Sequence, residues 1–315
     1  MNATAAQAHV AQRLGLASTH AEALSGGLLN HVFRVFLTRG DSVIVKHAPP
    51  YVASRPELPL DPSRAYFEAQ ALQWVGQRRD QRIGVPKLLD FEGSTLILQD
   101  LGACRDLNEL LRAGEGDALL QTLADWLMRL HSDSQAPELH NLPVQRTRLL
   151  VQYQSIGPLL AELSVPDAAE LGARAEELGL RLLERGSSFV MGDLWPPSVL
   201  VDRQGRPWII DWELCTLGHP AQDLGHLAAH LWMHALVEGQ SDSLAHDFLY
   251  AAGDRNPSEE WASRDISTHA ACEVLLRSHG AFAGTGAFRE LEGRSPIAQQ
   301  ALAFALKLLR AKESA

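Results

Sequence analysis

Apolar and polar positions alternate at the two-residue period of a β-strand in the first third of the chain. Residues 32–37 and 42–48 show this pattern on either side of a short polar turn, and residues 85–91 and 94–99 repeat it around a second turn. Pairs of alternating runs joined by short turns predict antiparallel hairpins. The first hundred residues are therefore predicted to form a small antiparallel sheet.

The pattern changes to a helical period at residues 63–77 and again after the second hairpin. Ala65, Glu68, Leu72 and Val75 recur on one face of the first helix. Further helices are predicted at residues 106–112, 116–131, 151–163, 167–185, 243–252, 262–279 and 297–312. Runs of strands followed by runs of helices, without βα alternation, predict an α+β fold.

Three apolar runs between residues 188 and 213 are too short for helices and rich in β-branched residues, so they predict short strands. Asp193 follows the first run, and Asp211 and Glu213 follow the last. A lone aspartate on a tight loop suits a base that orients a hydroxyl, and an Asp-x-Glu step suits a hard cation such as magnesium. Either acid alone is typical of a turn or strand end, but the combined pattern favours kinase-type phosphoryl transfer.

Lys46 lies in an otherwise apolar strand, where an unpaired charge is costly. Glu68 lies in the inward face of the first helix and is the predicted partner; the alternative is that it reaches solvent at the edge of that face. Gly26 and Gly27 precede the first hairpin, where their backbone N–H groups can approach a phosphate closely. A glycine pair alone is more often only a turn.

The central stretch resembles the aminoglycoside phosphotransferase and choline kinase-like superfamily, which is related to the protein kinases. The resemblance rests on Gly192-Asp193, on Ser198 five residues later, and on the strand that ends at residues 209–211. Met191 stands where histidine is usual, and Ser198 stands where a metal-binding asparagine is usual. The serine and the Asp-x-Glu step together resemble the 5-methylthioribose kinases.

The resemblance implies a protein kinase-like fold of two lobes, a small antiparallel lobe at residues 1–100 and a mainly helical lobe at 101–315. It implies ATP and Mg²⁺ as cofactors and a set of site residues with distinct roles. The implied roles are Asp193 as the base, Asp211, Ser198 and Glu213 as metal ligands, Lys46, Glu68, Gly26 and Gly27 at the phosphates, Gln99 and Leu101 at the adenine-binding hinge, and Asp223 as a brace for the catalytic loop, besides its expected position as a helix N-cap.

Substrate contacts are less sharply indicated. Trp195 and Trp212 flank the acids and either form walls of a substrate pocket or belong to the core. Arg277 matches the second arginine of a substrate-binding pair in the 5-methylthioribose kinases, while Leu276 replaces the first; a surface cation at a helix end is the alternative.

Histidines recur at four-residue steps after Asp223, as His226, His230 and His234. This spacing can bind a transition metal, but the apolar residues that separate the histidines favour packing instead. His131, at a predicted helix end, is given no chemical role.

Composition limits the cellular context. The formal net charge is −10 with an isoelectric point near 5.7, so no nucleic-acid footprint is visible. The three scattered cysteines, Cys104, Cys215 and Cys272, favour a reducing cytoplasm and argue against a structural zinc. The first residues lack the apolar core of a signal peptide. The sequence contains no apolar run of about 18 residues, so no membrane span is expected.

The expected function is ATP-dependent phosphorylation of a hydroxyl on a small metabolite, such as a sugar or a thiosugar like 5-methylthioribose. An aminoglycoside or choline-like acceptor is an alternative, because an acidic chain can attract a cationic substrate. A second alternative is a nucleotide-binding pseudokinase without turnover, and the departures at Met191 and Ser198 support it.

Overall fold

A computed structural model describes residues 1–24, 27–78, 82–253, 263–284, 291 and 295–311. The chain divides into two compact units. The N-terminal unit comprises Met1–Arg105 and Leu200–Cys215, and the C-terminal unit comprises Asp106–Val199 and Thr216–Ala315. The sequence-based boundary near residue 100 assigns Leu200–Cys215 to the C-terminal lobe, whereas this segment packs in the N-terminal unit.

The main sheet of the N-terminal unit has five antiparallel strands, β1 (Ser18–Ala23), β2 (His31–Leu37), β3 (Ser42–His47), β6 (Leu88–Glu92) and β7 (Thr95–Gln99). Their order in the sheet is β1-β2-β3-β7-β6. The two predicted hairpins therefore form and are joined by pairing of β3 with β7. Val35, Val45 and Ile97 are fully buried in the core beneath the sheet.

Strand β1 was not predicted. Its sequence, Ser-Thr-His-Ala-Glu-Ala, lacks large alternating apolar side chains, and it lies at the edge of the sheet, where pairing with β2 defines it. The same unit contains helices α1 (Ala3–Leu14) and α2 (Arg64–Gly76) and a small hairpin of β4 (Tyr51–Val52) and β5 (Arg55–Pro59).

A second sheet explains why Leu200–Cys215 belongs to the N-terminal unit. Its order is β11-β10-β8, formed by β8 (Cys104–Asp106), β10 (Val199–Asp202) and β11 (Pro207–Ile209). Strand β10 lies in the middle and pairs with both others. The turn after β11 delivers Asp211 and Glu213 to the cations of the N-terminal unit.

The C-terminal unit is mainly helical. Its helices are α3 (Leu107–Arg112), α4 (Asp117–His131), α5 (Leu142–Arg148), α6 (Ile156–Glu162), α7 (Ala168–Arg181), α8 (Ala221–Glu238), α9 (Ser243–Ala251), α10 (Arg264–Ser278) and α11 (Pro296–Arg310). Two short strands, β9 (Ser188–Val190) and β12 (Thr216–Gly218), pair antiparallel. Helix α8 is buried along most of its length and packs against α10.

The predicted helix at residues 151–163 is interrupted. A π-helical turn at Leu149–Tyr153 separates α5 from α6, and π-turns of this kind occur frequently at functional sites. The strands in the first unit and the helices in the second confirm the α+β prediction. Among the described helices, none has both the length and the apolar composition needed to cross a membrane.

Candidate active site

Lys46 on β3 is the centre of a buried charge cluster in the N-terminal unit. It is 4% exposed. Its Nζ lies 2.9 Å from Glu68 Oε1, 2.7 Å from Asp211 Oδ1 and 3.5 Å from Glu213 Oε1. Burial opposes the charged form of Lys46, yet the carboxylates of Asp211, Glu213 and Glu68 hold its pKa well above the usual range. The expected pairing of Lys46 with Glu68 is therefore present, and two further acids join it.

Glu213 is held by residues that the sequence did not single out. Its Oε1 accepts from Asn30 Nδ2 at 2.6 Å, and its Oε2 accepts from Arg64 Nε at 2.9 Å. Arg64 is fully buried and also donates to the backbone carbonyls of Leu29 and Pro49. Because both oxygens of Glu213 already accept from neighbours, it braces the cluster rather than standing open to an ion.

Asp211 differs from Glu213 in both exposure and backbone. Its side chain is 34% exposed. Its φ of 65° lies in the left-handed region, which non-glycine residues adopt at a cost and which is often found at functional sites. In the described part of the chain, only Lys46 contacts this carboxylate, through Oδ1. Three carboxylates face Lys46 and Arg64, and this excess negative charge with one partly open oxygen donor suits a hard divalent cation.

The other residues that were predicted to bind the nucleotide lie at separate points of the same unit. Gly27 lies in the loop before β2, and Gly26 lies outside the described residues. Gln99 ends β7 and Leu101 follows it. Between them, Asp100 accepts from Arg34, from Ser42 and from the backbone N–H of Gly102, so the expected hinge segment is fixed in place.

The loop of residues 191–198 in the C-terminal unit carries Asp193 and is called the Asp193 loop below. Gly192 has a φ of 84°, which suits glycine. Asp223, fully buried in the first turn of α8, accepts from the backbone N–H of Met191 at 3.0 Å and of Gly192 at 2.7 Å. Asp223 therefore braces this loop, and the expectation that it caps α8 is wrong because Pro220 holds that position.

Two side chains without a predicted role hold the same loop. His131 Nε2 lies 2.9 Å from Asp223 Oδ2. Arg148, at the end of α5 and 8% exposed, donates to the carbonyl of Gly192. Arg148 contacts the loop directly, whereas His131 acts through Asp223. Neither has a local sequence signature, because both lie on helices that are distant from the loop in sequence.

Asp193 itself is partly open, with 22% of its side chain exposed. Its Oδ1 lies 3.2 Å from His226 Nε2 on α8. Burial alone would raise the pKa of Asp193, but the contact with His226 and the nearby charges of Arg148 and Arg277 hold it below the usual range. The carboxylate is therefore ionised at neutral pH, as a proton acceptor must be.

Glu273 on α10 lies behind this pair and is 1% exposed. It accepts from Gln152 Nε2 at 3.0 Å and from Arg277 Nε at 2.7 Å, and His230 Nε2 lies 3.1 Å from it. Burial would raise the pKa of Glu273, yet the surrounding histidines and Arg277 hold it well below its usual range. The sequence did not single out Glu273, since a buried helical glutamate has no motif of its own.

The predicted substrate residues have different surroundings. Trp195 in the Asp193 loop lies against His230 and beneath the Arg277 guanidinium, whose carbon is 5.2 Å from the ring centroid. Arg277 is 7% exposed, so the alternative of a surface cation is wrong. Trp212 is fully buried and donates to the carbonyl of Ile209, which places it in the core rather than in a pocket wall.

Ser198 closes the Asp193 loop. It is fully buried, and its hydroxyl donates to the carbonyl of Trp195 at 2.8 Å while facing the N–H of the same residue at 3.3 Å. The hydroxyl thus completes a local turn, and it would have to leave these bonds to bind a metal.

Comparisons with known proteins identify the family of the chain. The phosphotransferase enzyme family, APH, matches residues 20–264. A 4-hydroxytryptamine kinase of Psilocybe cyanescens is 27% identical over 72% of this chain and 71% of that protein. Methylthioribose kinase 2 of Oryza sativa subsp. japonica is 24% identical over 82% of this chain and 65% of its own length.

A solved structure extends the likeness to the fold. Choline kinase LicA from Streptococcus pneumoniae is 16% identical, and it superposes with a TM-score of 0.58 over 97% of this chain and 98% of that one. At this identity the likeness shows the fold alone, and it confirms the kinase-like architecture. Together with the family match over residues 20–264, it shows that the chain belongs to the phosphotransferase enzyme family and is a small-molecule kinase.

Proposed function

We propose that this chain transfers the γ-phosphate of ATP to a hydroxyl group of a small metabolite, with Asp193 as the base. The observation that carries the proposal is Asp193 itself, a partly exposed carboxylate with a lowered pKa on a loop held by Asp223 and Arg148. The acceptor hydroxyl passes its proton to Asp193 while its oxygen bonds to the γ-phosphorus. The bond to ADP breaks, and its electron pair leaves with the ADP oxygen.

The nucleotide side is assigned to the Lys46 cluster. Lys46 contacts the phosphates, with Glu68 and Glu213 fixing its position. Asp211 would hold magnesium, which supplies charge neutralisation at the phosphates. This proposal differs from the sequence-based expectation in two respects: Glu213 supports Lys46 and Arg64, and Ser198 shapes the Asp193 loop. Both are bonded elsewhere in the structure.

Two observations favour different classes of acceptor. Within the described part of the chain, Nη1 of the buried Arg277 lacks a hydrogen-bond partner, which favours an oxygen-rich acceptor such as a thiosugar. The likeness to a 4-hydroxytryptamine kinase favours a hydroxylated aromatic amine, for which Trp195 offers a stacking surface.

The test is a screen for product by mass spectrometry with Mg·ATP and a panel that contains both acceptors, an aminoglycoside and choline. Asp193→Asn should lower kcat about 10²- to 10⁴-fold, because a general base contributes that much, and should leave nucleotide binding intact. Nucleotide binding with no product from any acceptor would instead identify a pseudokinase.

A further inference from the structure

The imidazole of His226 lies between two carboxylates in the C-terminal unit. His226 is 2% exposed on α8. Its Nε2 is 3.2 Å from Asp193 Oδ1, and its Nδ1 is 3.7 Å from Glu273 Oε2. Each ring nitrogen therefore faces an acid, and the three side chains form a line from the Asp193 loop into the buried core.

The inner end of this line is anchored from three elements. Glu273 on α10 is contacted by Arg277 from its own helix, by Gln152 from the π-helical turn and by His230 from α8. A carboxylate held by this many donors cannot turn freely, so it fixes the imidazole that faces it.

We propose that His226 is a positioning residue for Asp193: it holds Oδ1 of the base and leaves the other oxygen to face the acceptor hydroxyl, while Glu273 fixes the imidazole. The proposal rests on the proposed function. His226 neither gains nor loses a proton during transfer, because the hydroxyl proton stays on Asp193 and the electron pair of the broken bond leaves with ADP.

Other charged and titratable groups surround His226 and enter any pH-dependent effect. Its ring centroid lies 4.9 Å from that of His230 and 5.8 Å from that of His269. Arg148 and Arg277 add positive charge near Asp193 and Glu273. These two arginines balance the two carboxylates, so removal of the His226 contact leaves Asp193 with fewer partners rather than with none.

A metal site is the competing explanation for the same side chains. His226, His230 and Glu273 offer ligand atoms that lie within 4.8 Å of one another. However, Arg277 Nε lies 2.7 Å from Glu273 Oε1, the same oxygen that faces His230. A metal ion held there would face a guanidinium at close range, so the geometry favours contact of His226 with the two carboxylates over metal binding.

The first experiment compares His226→Ala and His226→Gln with His234→Ala. His234 lies two turns further along α8 and is equally buried, which makes it a matched control. His226→Ala should lower kcat about tenfold to a hundredfold, the cost of a small misplacement of a reacting group, with KM for ATP changed less than about threefold.

The pH profile should change as well. The acidic limb of kcat/KM should move to higher pH in His226→Ala, because Asp193 loses a contact that lowers its pKa. Glutamine keeps a donor near the Nε2 position and should recover part of the rate.

The second experiment does not depend on turnover. In ¹⁵N-histidine NMR spectra at one fixed pH, Asp193→Asn should move the ring-nitrogen resonances of His226, which face Asp193, and leave those of His234 unchanged. Unchanged His226 resonances would overturn the proposal even if no acceptor is ever found. Equal losses in His226→Ala and His234→Ala without a pH shift would also overturn it, and so would loss of wild-type activity on zinc chelation with recovery on zinc addition. Failure of the acceptor screen alone would count only against the proposed function.

Discussion

Lys46 is surrounded by more negative charge than it can neutralise alone. Glu68, Asp211 and Glu213 all lie within 3.5 Å of its ammonium, and Arg64 shares only the last of them. Such a buried network is weak evidence of net stability, because desolvation of the charges offsets much of their attraction. The network instead fixes the position of the Lys46 ammonium, since each carboxylate contacts it from a different segment of the chain.

Replacing Lys46 should therefore cost more than replacing another lysine of the same unit. Lys46→Met leaves Glu68 buried without its cation, and we expect the free energy of unfolding to fall by about 3–5 kcal/mol. Lys87→Met, at an exposed position, should change it by less than about 0.5 kcal/mol. Urea unfolding of both variants measures the difference, and equal effects would show that the cluster has no role in stability.

Charged residues that interrupt a regular apolar pattern could be identified from the sequence alone. Lys46 interrupts an apolar strand and Glu68 an apolar helix face, so each was recognisably a buried charge in need of a partner. His226 was not, because its four-residue spacing from His230 is shared by ordinary packing positions. Its contact with Asp193 depends on the approach of α8 to the Asp193 loop, and no local pattern encodes that approach.

At the scale of elements, α6 and α7 approach each other closely at a pair of glycines. A Cβ built on Gly172 of α7 would lie 2.5 Å from the Cα of Gly157, whereas a Cβ on Gly157 of α6 would lie 3.4 Å from the Cα of Gly172. The approach is therefore asymmetric, and only one of the two positions excludes a side chain. Backbone atoms cannot yield as a flexible side chain does.

Alanine should change the stability of the protein differently at the two positions. Gly172→Ala should destabilise the protein by about 1–3 kcal/mol, as overpacking does. Gly157→Ala should stay within about 1 kcal/mol of the wild type or gain slightly, because alanine favours the helical state. Thermal or urea unfolding tests both variants, and a Gly172→Ala variant as stable as Gly157→Ala would refute the close approach.

At the scale of the whole molecule, sequence order and spatial grouping diverge at Leu200–Cys215. Periodicity predicted the short strands of this segment, but it placed them with the helices that flank them in sequence. Two interactions that are distant in sequence decide otherwise: β10 pairs with β8, and Arg64 and Lys46 hold the acids that follow β11. Such pairings join segments that lie far apart in the sequence, and single-sequence patterns carry no information about them.

The stability of the whole chain should fall in mild acid because several histidines are buried in neutral form. Burial lowers the pKa of His230 from 6.5 to about 4, although its hydrogen bond to Glu273 opposes the shift. Between these values the unfolded chain binds a proton that the native state does not, so stability present above pH 6.5 is lost as the pH falls toward 4. Each such proton contributes a slope of about 1.4 kcal/mol per pH unit.

His230→Gln keeps a donor for Glu273 but does not titrate. It should therefore reduce the slope of unfolding free energy against pH by about that amount. The remaining slope should stay above zero, because the pKa of buried His269 is also lowered. Urea unfolding at intervals from pH 7 to 4.5 measures this slope. His246→Gln, at a partly exposed position, is the control for the loss of one histidine. An unchanged slope in His230→Gln would contradict the assignment.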